Sequence, residues 1–136
     1  MKDYGQFHDG SFDGLWVDES TARFLLSTEE KERFTAVATG VVRLIVEGFR
    51  KGNTIFDVST HDHGELTLDE ISEAYEVRED ASGKALATRL LAEARQHDLM
   101  ILQIGASYGA TCLALVRSVE LLPRAEWVRR YFAATT

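Results

Sequence analysis

The sequence predicts an α+β fold, a single domain built on a mostly antiparallel sheet of about six strands. Three observations carry that expectation. Period-two apolar alternation dominates the first sixty residues, one long amphipathic helical stretch occupies 84–97, and strand-like apolar runs return after it. At 136 residues the chain has the usual size of one domain, 1–136, long enough to bury a core without disulfides or metal.

The elements follow in order. "FDGLWVD" (12–18) and "TARFLLST" (21–28) flank a tight turn at Glu19-Ser20, and Ala22, Phe24 and Leu26 share one face of the second run. "RFTAVATGVVRLIVEGF" (33–49) reads as one strand with a bend at Gly40; Val42, Leu44 and Val46 lie opposite Arg43 and Glu47. "RKGN" supplies turn chemistry at Gly52 and Asn53, so "TIFDVST" (54–60) reads as the return strand of a hairpin. Thr67 and Glu70 fit a capping box opening a short helix near 68–76. The 84–97 helix presents Leu86, Ala87, Leu90, Leu91 and Ala94 on the face that packs on the sheet. "LMILQI" is a buried strand, 110–121 fits either a helix or a strand, and "RAEWVRRYF" after Pro123 fits a short helix.

Composition limits the function classes. The net charge is −7, from 22 acidic and 15 basic side chains. Such a surface repels phosphate backbones and anionic lipid, which argues against nucleic-acid and membrane roles and favours a basic protein partner. Cys112 is the only cysteine, so no intramolecular disulfide forms. The N-terminus lacks the apolar core of a signal peptide, which makes the cytoplasm the expected compartment. No motif calls for a cofactor. The edges of an antiparallel sheet leave room for a homodimer.

Two patterns invite a catalytic reading. "GASYG" (105–109) matches the G-x-S-x-G elbow that presents a nucleophilic serine. In that architecture the acid and the histidine follow the serine along the chain, yet here no histidine or aspartate follows Ser107, only Glu120 and Glu126. The glycines therefore read as bracketing a hairpin turn with Ser107 and Tyr108 at its tip. "HDH" places His61 and His63 at a spacing that can ligate zinc given a third ligand, although a solvated loop is the plainer reading. His8-Asp9-Gly10 is a turn signal before the first strand. A small hydrolase or metal-dependent enzyme using His8, Asp9, His61, His63 and Ser107 is the alternative function. Asp57 sits between Phe56 and Val58, either solvated or paired with a partner such as Arg43.

The succession "FHDGSFDGLWVD", "GVVRLIVEGFRKGNTIFDV" and "ILQIGASYGATCLALVRSVEL" resembles a family of small uncharacterised bacterial proteins, similar to immunity proteins of bacterial toxin systems. The resemblance implies a hairpin joining 99–105 to 110–121 and a variable insertion at 60–80. Together with the net charge of −7 and the incomplete catalytic set, it points to a non-catalytic module that docks a cognate protein through an acidic surface; His8, Asp9, Asn53, Ser107 and Tyr108 are the candidate binding surface.

Overall fold

The computed structural model describes residues 1–135, with side chains through Ala133. Nine strands and three helices are assigned among them: β1 (Lys2–Asp3), β2 (Ser11–Asp18), β3 (Thr21–Ser27), β4 (Arg33–Thr39), β5 (Arg43–Glu47), β6 (Asn53–His61), α1 (Leu68–Ala74), α2 (Ala81–Gln96), β7 (Met100–Tyr108), β8 (Thr111–Val116), β9 (Ser118–Pro123) and α3 (Arg124–Thr135). The class is α+β and every strand pairing is antiparallel, in the order β5-β8-β7-β6-β2-β3-β4-β9, with β1 added to β6.

Nine strands replace the expected six because two long runs break and the short β1 adds to β6. Residues 33–49 divide at Gly40, which has φ +63°, and residues 110–121 divide at Arg117. The breaks lie side by side: Val42 N–H donates to the Leu115 carbonyl and Arg117 N–H to the Thr39 carbonyl. At this corner both chains pass from one half of the sheet to the other, as strands do where a sheet folds over on itself. The two halves consequently share one core. Phe12, Phe24, Leu26, Ala36 and Ala38 from β2–β4 meet Ile55, Val58, Leu102, Ile104, Cys112 and Ala114 from β6–β8.

The expected hairpin between 33–49 and 54–60 does not form. β5 pairs with β8, and β6 pairs with β7, β2 and β1. Helix α2 begins at Ala81 rather than 84 because the Asp80 carboxylate caps it, accepting from Gly83 N–H at 2.8 Å, and it ends at Gln96 rather than 97. The expected capping box is present on α1, which is shorter than 68–76. Among the described residues the fold holds three helices instead of one long and one short: α3 forms over the "RAEWVRRYF" stretch and, with 12 residues, is longer than α1. On the outer face, Ile71, Ala74, Leu90, Leu91 and Ala94 cover Ile101, Leu113 and Leu115, forming a second, smaller core under α1 and α2. No helix among the described residues is long and apolar enough to cross a membrane.

Candidate functional site

The candidate residues from the two ends of the sequence gather around the start of β6. Asp9 N–H donates to the Ile55 carbonyl, Ile55 N–H to the Gly10 carbonyl, and Tyr108 lies opposite Thr54 in the ladder. The β6–β7 register slips twice here, so Ser107 and Phe56 are each the extra residue of a β-bulge. The expected β7–β8 hairpin forms, with Ile104 opposite Cys112 and 105–111 between them, but Gly105 pairs with Asp57 in the β6–β7 ladder and does not bracket the reversal. Ser107 and Tyr108 belong to β7, and the chain reverses at Gly109 with φ +87°. The bulge turns the Phe56 side chain into solvent, and the Phe56 carbonyl receives His8 Nδ1 at 2.7 Å. That hydrogen bond, with Asp9 beside it, raises the His8 pKa above its ordinary value.

This arrangement does not assemble an acyl-transfer site. His8 Nδ1 is committed to the Phe56 carbonyl and Nε2 faces Asp9 at 3.6 Å, while the Ser107 hydroxyl points to the Thr54 carbonyl at 3.5 Å. The two histidines of "HDH" also part company. His61 Nδ1 meets Glu70 at 2.6 Å, and His63 Nε2 faces Asp98 at 3.8 Å. No three His, Cys, Asp or Glu side chains among the described residues are grouped to hold a metal ion. Cys112 is buried, and burial pushes its thiol up to about 12, so it stays protonated.

Asn53 is not on the surface. It is 2% exposed, and its amide uses every hydrogen-bonding position it has. Oδ1 accepts from Arg50 N–H and Ala110 N–H, and Nδ2 donates to the Phe12 and Arg50 carbonyls. The side chain ties β2, the 48–52 loop and the 109–110 reversal together. His8, Asp9, Ser107 and Tyr108 remain exposed around it.

Next to this region lies a groove that sequence reading missed. It runs between α1 and the outer face of β5, β8 and β7, with a volume of about 380 Å³. Ile45 and Leu113 floor it, Gln103 and Thr111 supply polar groups, and Glu47, Glu73 and Glu76 stand at its rim. None of these three carboxylates has a salt-bridge or hydrogen-bond partner among the described residues. Gly105 keeps the β7 side open, and a Cβ there would collide with the Asp57 carboxylate. Asp57 thus adds a fourth negative charge beside the groove instead of pairing with Arg43. Arg43 instead donates from Nε to the Ala74 carbonyl and stacks on Tyr75.

A second acidic hollow, about 410 Å³, lies between His8 and Glu29, Glu30 and Glu32. Lys31 and Arg33 interrupt that run and His8 faces it, so its charge is partly offset. The α1 groove has no such cation within its lining. Glu47 lies on β5 while Glu73 and Glu76 lie at and just after the end of α1, so no single linear motif marks the three. The chain matches no family model, no curated protein and no solved structure.

Proposed function

We propose that this protein is a non-catalytic binding module that docks a basic segment of a protein partner in the groove between α1 and the β5–β8–β7 face. One observation carries the reading: three unpaired glutamates ring an apolar floor. Unpaired like charges held together raise the energy of the free protein, and a cationic partner relieves it. The floor of Ile45 and Leu113 suits the aliphatic stem of a lysine or arginine, while the rim carboxylates receive its head. The net charge of −7 steers such a partner at long range. The resemblance to immunity proteins, which act by binding another protein, agrees with this reading.

The test is site-specific photo-crosslinking in the native host. A photoreactive residue at Thr111, inside the groove, should capture one discrete protein, and Glu73→Lys with Glu76→Lys should abolish that capture. A crosslinker at Lys31 in the 28–32 turn serves as control. Equal capture from both positions, or capture that survives the two reversals, would overturn the proposal.

A further inference from the structure

β5 is one end of the strand order, and among the described residues it pairs with β8 alone. Its second edge is open. The exposure pattern agrees: the inward-facing Leu44 and Val46 are only partly buried, whereas their ladder partners Ala114 and Cys112 are 0% and 3% exposed. Val42 and Phe49, at the two ends of this edge, are 49% and 48% exposed. Proteins usually blunt such an edge with proline, a lysine, a bulge or an inward charge. The other end of the order, β9, carries Pro123 and runs directly into α3. β2 carries a bulge at Asp13. β5, Arg-Leu-Ile-Val-Glu, has no proline, lysine or inward charge along its length.

We infer that β5 pairs edge to edge, antiparallel, with β5 of a second copy of this chain, about a two-fold axis through Ile45. The sequence of the strand selects this occupant. When two copies of residues 43–47 run antiparallel with Ile45 opposite Ile45, Arg43 of each faces Glu47 of the other. Leu44 faces Val46, and both continue the inner face of the sheet. The pairing is self-complementary in charge and hydropathy, as an isologous interface requires. Opposite charges facing across strands stabilise a ladder, and like charges destabilise it. A parallel arrangement would instead set Arg43 against Arg43 and Glu47 against Glu47. Antiparallel pairing continues the sheet through both copies and lays the two α1 grooves on either side of the axis.

The pairing engages Glu47, which also stands at the groove rim, and leaves Glu73 and Glu76 to receive a basic partner; the docking test reverses those two residues and leaves β5 intact, so the two readings fail separately. The test of the pairing is sedimentation velocity over a concentration series. Wild-type protein should shift from monomer to dimer as concentration rises. Arg43→Glu or Glu47→Arg alone places like charges opposite each other twice per dimer and should weaken association about tenfold or more. The double variant Arg43→Glu/Glu47→Arg restores both pairs and should recover the dimer. Because Arg43 also holds the Ala74 carbonyl, circular dichroism checks the fold of each variant. Hydrogen exchange on wild-type protein gives a second reading, in which the β5 amides should gain protection with concentration. A monomer at every concentration, a dimer indifferent to the single reversals, or no recovery in the double variant would overturn the inference.

Discussion

Replacing Asn53 with alanine tests the clamp at the start of β6. Alanine deletes four hydrogen bonds, of 2.8 and 3.0 Å to Oδ1 and 3.1 and 2.6 Å from Nδ2. Arg50 is exposed, so water can satisfy its backbone groups after the change. Phe12 and Ala110 are 1% and 2% exposed, so the Phe12 carbonyl and the Ala110 N–H stay dry. A buried polar group left without a partner costs about 1–3 kcal/mol, so the two together cost roughly 3 kcal/mol. For a chain of 136 residues that corresponds to a fall in Tm of roughly 10 °C. Urea denaturation read by tryptophan fluorescence measures it as a lower midpoint at an unchanged slope. Asn53→Asp keeps the acceptor but loses both donors and buries a charge, and it should be destabilised at least as much. A loss below about 1 kcal/mol in Asn53→Ala would refute the assignment of the side chain as a structural clamp.

Two further outcomes follow from the same region. The His8 pKa is raised in the folded protein by the Phe56 carbonyl and by Asp9. Its contribution to stability is therefore present in full below the unfolded value near 6.5 and is lost as pH rises through the higher folded value. An NMR titration should place its midpoint above 6.5, and His8→Gln should remove the part of the fall in Tm on going from acidic to alkaline pH that wild type shows in excess; a midpoint at or below the ordinary value contradicts this. Gly105→Ala should destabilise by about 1 kcal/mol or less, because the new methyl makes the half-buried Asp57 carboxylate on the neighbouring strand swing aside. Removing that carboxylate in Gly105→Ala/Asp57→Ala should return most of the loss, and no recovery would show that the collision is not its cause.

What the sequence reveals here divides along the line between local and non-local physics. The alternation of Ala22, Phe24 and Leu26 reports a strand because each points to the same core, and the reciprocal bonds of Thr67 and Glu70 need only three residues of chain. The break at Gly40 shows locally as a glycine. The break at Arg117 does not, since it exists because Arg117 N–H meets the Thr39 carbonyl, 78 residues away in the chain. Asn53 looks like a turn residue next to Gly52, yet its partners at Phe12 in β2 and Ala110 in the 109–110 reversal arrive from distant parts of the chain and bury it. His8 and Tyr108 are conspicuous in sequence, and both do flank β6. The α1 groove leaves no trace along the chain. Glu47 is an ordinary outward residue of a strand, and Glu73 and Glu76 are ordinary solvent residues near the end of a helix, until α1 docks beside β5.

The most direct test of the docking account is an NMR titration of the protein, labelled on its backbone amides, with a short oligolysine peptide at low salt. The account predicts that shifts concentrate on Ile45, Glu47, Glu73, Glu76, Gly105 and Thr111, and that they fade as salt screens the contact. Shifts centred on Glu29, Glu30 and Glu32, or spread evenly over the acidic surface, would contradict it.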